Sequence, residues 1–467
     1  MTQPAAPRKI VICIDGTGNE IGARATNILK LYKTLDKDAP DQEAHYFMGV
    51  GTYAGPQLFA RFRQATLGVM GLAFGLGLED DVLRAYGVLC HRYRSKARKL
   101  AEDPGLTRDS AESDHIYIAG FSRGAYAARV LAGFIHNFGL VSPDKLHLIA
   151  PVFRAYRRVT DFEKTDTDDK VFQALREFER ALEPDHPAIR ALLLFDTVSS
   201  MIRFRRPWKN LTRSASLAEF GTHASVNSNV SVRIVLHALA VNECRAMFRA
   251  QPWTPECDRK TGVPLFFGNN FRIESTQRTQ FVVQRWFPGY HSDVGGSPYE
   301  NESGIGKISL LWMLDKLAEL EEKADAEDTA ARLARGHTPL PGPRAPGLRL
   351  TERARGRYLE GKNRKARTPD GRVYARPRPD APIHNSHRDG WICLLWNALE
   401  FLPKSLKRRE KGPVAPARRG WLGFWYLPLY EPRHIPDGHE IDPSVPHPSA
   451  LKWTRRRRGA NLPQNRG

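Results

Sequence analysis

Residues 116–133 read IYIAGFSRGAYAARVLAG, and this stretch decides the fold. An alternating apolar run stops at Gly120-Phe121-Ser122-Arg123-Gly124, and a small-residue pattern of helical period begins at once. That juxtaposition reads as strand, tight turn, helix. The five turn residues match G-x-S-x-G, in which a serine is presented on a sharp strand-to-helix turn. Glycines flank it because a Cβ would clash in so tight a turn. The helix start then offers backbone N–H groups and a positive dipole end to an oxyanion forming at the serine. The bland reading makes Ser122 only a helix cap in an ordinary βα turn.

Working outward, the pattern up to about residue 320 is α/β. "KIVICID" (Lys9 to Asp15) is a β-branched strand, and "TNILKLYKTL" an amphipathic helix. "HYFMGVGT" reads as the next strand, and "EDDVLRAYGVLCHRY" as a helix opening on acids. "DHIYIAG", "ALLLFDTV" and "FVVQRWFPG" are strands, and "IGKISLLWMLDKLAELEEKADA" is a long helix. "VRIVLHALAVNECRAMF" mixes apolar runs and is expected to be helical at its centre. Strands alternating with helices argue a mostly parallel sheet covered on both faces. The expected class is α/β, in the α/β-hydrolase arrangement, with an irregular basic C-terminal extension. Residues 8–325 are expected to form the catalytic domain, and 326–467 a Pro/Arg-rich, aromatic extension packing on or flanking it.

A nucleophilic serine needs a base, and the base needs an orienting carboxylate. In this fold the chain order is Ser, Asp or Glu, then His. Asp196 ends the strand "ALLLFD", at the carboxyl edge where a sheet collects functional groups. His291 follows "FVVQRWFPG" in the loop "GYHSDVGG", hemmed by glycines. Ser122, Asp196 and His291 are therefore the expected triad, and Asp293 is the rival orienter. A His291–Asp293 metal pair lacks an obvious third ligand, so no metal or other cofactor is expected. The oxyanion hole is expected from the N–H of Arg123, next after the nucleophile, and from the Gly16-Thr17 turn after the first strand. "CIDGT" could instead suggest an aspartyl-phosphate enzyme, but Cys13 stands where its nucleophilic Asp would be.

Composition bounds the rest. With 467 residues, 41% of them hydrophobic, a sizeable core can form and wholesale disorder is not expected. Lys and Arg number 71 against 51 Asp and Glu, a formal net charge of +20. Such a charge attracts anionic partners. No nucleic-acid module accompanies it, so no nucleic-acid partner is expected; peripheral contact with an anionic membrane is the partner reading the charge leaves open. The five cysteines are scattered and form no CxxC pair, which fits neither a disulfide framework nor a zinc site. The start, MTQPAAPRK, has no apolar core of a signal peptide. The expectation is cytoplasmic synthesis without a spanning helix, with any export by a route that needs no cleaved leader. The apolar, glycine-bearing run Ala65 to Leu78 reads as a packed or lid segment. "GWLGFWYLPLY" (420–430) reads as core rather than lipid contact, and Arg455 to Arg458 as a solvated basic tail.

Several of these motifs also resemble a known family. "IDGTGN", "TNILKLY", "GVGT", "GFSRGAYAARVLAG", "FDTVSS", "HALAVNECRAMF" and "WFPGYHSDVGG" occur in the order seen in the α/β-hydrolase domain of type VI secretion phospholipase effectors and their relatives. The similarity spans roughly residues 8–320 and resumes in "IHNS", "IDPSV" and "ANLP". It implies an esterase or lipase fold using Ser122, Asp196 and His291, acting on a lipid or other carboxylic ester. Departures from the family pattern are Phe195 and Ser199, Asn242 before Glu243, and Ser297 after two glycines. None removes a proposed group, though pocket lining decides which ester is taken. The alternative expectation is a hydrolase scaffold without chemistry that binds anionic membranes.

Overall fold

The computed structural model describes residues 7–16, 24–49, 77–107, 110–158, 167–198, 202–204, 218–220, 226–245, 248–255, 278–338, 346–362, 365–385, 404–405, 425–426, 433, 435–436 and 438–445. The expectations for Ala65 to Leu78 (except its last two residues), for Arg455 to Arg458 and for most of 420–430 lie outside them.

Seven strands form one sheet in the order β11-β8-β7-β4-β3-β1-β2. They are β1 (Lys9–Ile14), β2 (Gln42–Phe47), β3 (His115–Phe121), β4 (Ile189–Phe195), β7 (Val232–Ala240), β8 (Phe281–Phe287) and β11 (Glu440–Ile441). Every pairing in it is parallel. Two short antiparallel pairs, β5 (Ile202–Phe204) with β6 (Ala218–Phe220) and β9 (Lys404–Ser405) with β10 (Trp425–Tyr426), stand apart from it. Parallel strands require crossovers; among the described residues helices follow β1, β2, β3 and β8, and they cover both faces of the sheet. The fold is α/β, with a sharp strand–turn–helix elbow at Ser122.

The pleat sends alternate side chains to opposite layers. Ile10, Ile12, Ile14, Ile116 and Ile118 face one core with the helices α2 (Leu78–Arg92), α4 (Arg123–Phe138), α5 (Ile149–Arg158) and α6 (Thr167–Leu182). Val11, Cys13, Tyr117, Ala119 and Phe121 face the other, with α1 (Asn27–Thr34) and the long α8 (Gly304–Ala334). Burial on both faces explains why these strands read as continuous apolar runs. It also corrects one expectation: the segment from Val232 is not helical but the strand β7, with all nine residues buried. A strand covered on both sides has no polar alternation to mark it. β2 begins three residues before the expected start, at Gln42.

The chain beyond residue 325 returns to this core. The helix α8 runs unbroken through residue 325 to Ala334. Leu348 and Leu359 join the second core layer. β11 extends the sheet beyond β8, pairing Glu440 with Arg285 and Ile441 with Trp286. Ile435 packs in a smaller cluster with Leu239, Val241 and Trp286.

Candidate active site

The carboxyl ends of β3, β4 and β8 converge, as expected for open parallel sheets. β3 ends at Phe121, and α4 starts at Arg123. Between them Ser122 adopts φ 58°, ψ −123°, a conformation that costs energy for any residue with a Cβ. It is held there by its amide, which donates to the Phe195 carbonyl of β4 at 3.0 Å. The flanking glycines are sterically required. A Cβ on Gly120 would lie 2.5 Å from the Gly124 carbonyl, and one on Gly124 would meet the carbonyls of Ile14 and Asp15. The turn is thus pressed against the end of β1. Ser122 stands at the N-cap of α4, yet its side chain makes no capping bond. Its Oγ lies 2.8 Å from His291 Nε2 instead.

Asp196, directly after β4, is also at positive φ, 40°. Its amide donates to Ala238 of β7 at 2.7 Å, and its Oδ1 accepts the Ala240 amide at 2.9 Å. Its Oδ2 lies 2.6 Å from His291 Nδ1. The three expected residues are therefore brought together as hydroxyl, imidazole and carboxylate in sequence. An ionised Asp196 can only accept, so Nδ1 donates to it, which leaves Nε2 to accept from Ser122.

The imidazole is clamped by packing as well. It stacks on Phe121 and meets Phe248 edge-on, each ring centroid 4.8 Å away. The Arg245 guanidinium covers the other part of Phe248 at 3.6 Å. The His291 amide donates to the buried Glu243 at 3.3 Å, and Arg245 pairs with Glu243 through Nε and a terminal nitrogen. Asn242 and Gly289 exchange bonds at the loop entrance. Asn27 of α1 donates to the carbonyls of Val294 and Gly306 and receives the loop from the other side. These contacts account for "TN", "NE" and "HSDVGG" occurring together in one sequence.

Asp293 does not take the orienter's place. It closes a capping box at the start of α7 (His291–Val294), accepting the Tyr290 amide at 2.9 Å. Its other contacts are the ring and amide of His384, at 2.7 and 3.1 Å. The bond to Asp293 raises the His384 pKa and outweighs the lowering by burial.

The expected oxyanion donors divide. Arg123 heads α4, where the first amides have no carbonyl partner within the helix. The Gly16 amide already donates to the Asp15 carboxylate at 2.7 Å, which occupies it. That carboxylate also accepts from Thr26 at 2.5 Å and Tyr46 at 2.7 Å, tying the turn to α1 and β2. Thr17 lies outside the described residues.

Electrostatics favour a neutral base beside a charged carboxylate. Burial pushes the Asp196 carboxyl up, but nearby positive charge and hydrogen bonds outweigh it and hold it well below the usual carboxylate range. Burial pushes the His291 imidazole down; the bond to Asp196 opposes this without reversing it. A neutral imidazole at neutral pH can accept a proton. Among the described residues no group of three or more His, Cys, Asp or Glu could hold a metal ion, and no helix is long and apolar enough to cross a membrane.

One contributor lies outside the sequence reading altogether. Arg433, from the C-terminal extension and 5% exposed, reaches both oxygens of Asp196 at 2.5 and 3.0 Å. In a chain with 71 basic residues a lone arginine carries no signal of its own. The only available pointer was "IDPSV", a few residues further on, where the family resemblance resumes.

The family model described as "T6SS, Phospholipase effector Tle1-like, catalytic domain" matches residues 8–316. A curated relative, the uncharacterized protein YEL023C of Saccharomyces cerevisiae, is 27% identical over 256 residues. That match covers 53% of this chain and 33% of the yeast protein, so the chain spans about a third of that relative's length. Two solved structures are similar at 18% identity. One is an uncharacterized protein from Pseudomonas aeruginosa, with a TM-score of 0.36, covering 68% of this chain and 46% of that one. The other is the Tle1 effector bound to the VgrG spike of the type VI secretion system, with a TM-score of 0.27, covering 63% and 52%.

Proposed function

Since the chain belongs to the family of Tle1-like catalytic domains of type VI secretion phospholipase effectors, we propose that it is a serine hydrolase cleaving carboxylic esters of lipids, using Ser122, His291 and Asp196. Ser122 Oγ attacks the acyl carbonyl while His291 Nε2 takes its proton. Asp196 holds the imidazole tautomer and stabilises the imidazolium that forms. The Arg123 amide and the positive end of α4 stabilise the oxyanion. Collapse of the tetrahedral intermediate expels the alcohol, which receives the proton from His291. Water, activated by the same imidazole, then releases the acid and restores Ser122.

The observation that carries this reading is the unbroken contact from Ser122 Oγ to His291 Nε2 at 2.8 Å and from His291 Nδ1 to Asp196 at 2.6 Å. The strained turn supports it, because a serine serving only as a helix cap needs no positive φ. Phospholipid is the substrate class suggested by the family description.

A fluorophosphonate probe and acyl-labelled phosphatidylcholine in mixed micelles test the proposal. The probe is expected to label the native protein on Ser122, and Ser122→Ala is expected to abolish labelling and lower acyl release by at least about a thousandfold. Acyl release retained by a folded Ser122→Ala protein would overturn the mechanism.

A further inference from the structure

A carboxylate sealed from water with only an imidazole partner would be costly to keep ionised. At Asp196 four donors meet the two oxygens. Oδ1 accepts from the Ala240 amide at 2.9 Å and from one terminal nitrogen of Arg433 at 2.5 Å. Oδ2 accepts from His291 at 2.6 Å and from the other terminal nitrogen of Arg433 at 3.0 Å. Arg433 stands 237 residues further along the chain. Its fork is itself held: Nε donates to the Phe248 carbonyl at 3.1 Å and a terminal nitrogen to the Ala240 carbonyl at 3.0 Å. One side chain therefore ties together the carboxylate, the end of β7 and the backbone of Phe248, whose ring covers His291. What brings the fork there is the docked segment behind it: Ile435 packed on Leu239 and Trp286, then β11 paired with β8.

We propose that Arg433 is a positioning residue for ester hydrolysis, contributed by the C-terminal extension: its planar fork sets the Asp196 carboxylate for His291, and its charge limits how basic that carboxylate makes the imidazole. The proposal rests on the Ser122–His291–Asp196 reading. The geometry suits arginine specifically, because a bidentate fork fixes a carboxylate plane whereas an ammonium is a point charge. Other charged and titratable groups surround the pair. Glu243 and Arg245 face His291 from the loop after β7, and His237 of β7 lies beside Asp196. Glu243 and Arg245 neutralise each other at 2.7 Å, and burial holds His237 well below its ordinary pKa, hence neutral. Arg433 is thus the cation bonded directly to the triad carboxylate. Removing it leaves Asp196 less compensated, so protonation of His291 becomes easier and its pKa rises.

The full chain carrying Arg433→Met or Arg433→Lys is compared with wild type in two measurements. In the pH dependence of kcat/KM, the acid limb reports the free enzyme's base. For Arg433→Met it is expected to move up by about half to one pH unit, with the plateau lowered about 10- to 100-fold. For Arg433→Lys the limb is expected to stay within about 0.3 unit while the plateau still falls, since the charge remains and the fork is lost. The second measurement needs no turnover: the His291 ring is titrated by NMR in the Ser122→Ala background, and assigned by the signal lost in His291→Gln. It is expected to titrate higher when Arg433→Met is added. A folded Arg433→Met protein with an unmoved acid limb and an unmoved His291 titration overturns the proposal. Should Arg433→Met not fold, a wild-type plateau for Arg433→Lys overturns it. If the wild type neither labels nor hydrolyses, the hydrolase reading fails on its own and the NMR titration still judges Arg433.

Discussion

Asp196 and Asp293 illustrate how position decides a carboxylate's role. Both are buried, at 0% and 2% exposure, and both bond a histidine. Asp196 meets the ring that faces Ser122, whereas Asp293 spends its oxygens on Tyr290 and His384 and shapes the loop that carries His291. Asp196→Asn should therefore lower the probe-labelling rate by about four orders of magnitude, because the amide presents its N–H to Nδ1 and enforces the wrong tautomer. It also leaves the Arg433 charge buried without its partner, which costs about 3–5 kcal/mol, so rates must be taken per folded protein. Asp293→Asn keeps an acceptor for the Tyr290 amide and should cost only about tenfold. Labelling rates of the two variants, measured at equal folded fraction by circular dichroism, check the ranking. A larger loss for Asp293→Asn would move the orienting role to that residue.

The β3–α4 element shows which parts of the fold a sequence can announce. Its boundary was legible because the turn is made of residues with one physical reason each: Gly120 and Gly124 for closeness, Ser122 for chemistry. Gly124→Ala would drive a methyl group into the carbonyls of Ile14 and Asp15, the latter 2.5 Å from the added carbon. Backbone atoms cannot rotate aside, so the start of α4 must shift. A destabilisation of about 3 kcal/mol is expected, with a fall in labelling of about a hundredfold, the scale of a 1 Å misplacement at a reacting group. Thermal melting and labelling read the two effects separately; a variant with wild-type values for both would show that the elbow tolerates the extra carbon. β7 was less legible. Sealed between β4 and β8 with helices on either face, it needed no alternation, and its apolar run imitated a buried helix. The His291 loop was legible as a cluster of motifs. Its supports, Asn27, Glu243 and Arg245, were not, because each acts through contacts distant in sequence or through a backbone amide.

For the whole molecule, the C-terminal return was the least legible feature. Pro- and Arg-rich composition marked a boundary near residue 325, but composition carries no long-range pairing. That an arginine at 433 would close on an aspartate at 196 follows only once β11 lies beside β8. Charge is distributed over the molecule with a consequence for acid stability. The chain carries a formal +20 before any histidine is protonated, so further protonation adds self-repulsion. Burial lowers the pKa of His136 to about 4, from 6.5, and holds His237 and His291 down as well. A folded pKa below the unfolded one means that the unfolded chain binds protons first as pH falls below 6.5, so stability declines there. At pH 5, His136 alone withdraws about 2 kcal/mol by this linkage. His384 acts in the opposite sense: its pKa is raised, so its contribution is full below 6.5 and fades as pH rises through the folded value. It is one partly exposed ring against His136, His237 and His291, with His186 and His439 lowered by burial in the same sense. Asp196 and Glu243, whose pKa values are depressed, the latter to about 2, keep their contributions until pH falls below the ordinary carboxylate range of about 4. Between pH 7.5 and 5 the lowered histidines act against His384 and against Asp81, whose carboxyl burial raises to about 6 and which therefore favours the folded state as pH falls; the lowered histidines are the more numerous. The melting temperature is expected to fall steadily across that interval, and His136→Gln, which retains a group for the Ser231 hydroxyl 3.0 Å away, should flatten the decline. A melting temperature that holds level or rises from pH 7.5 to 5 would contradict this account of the buried histidines.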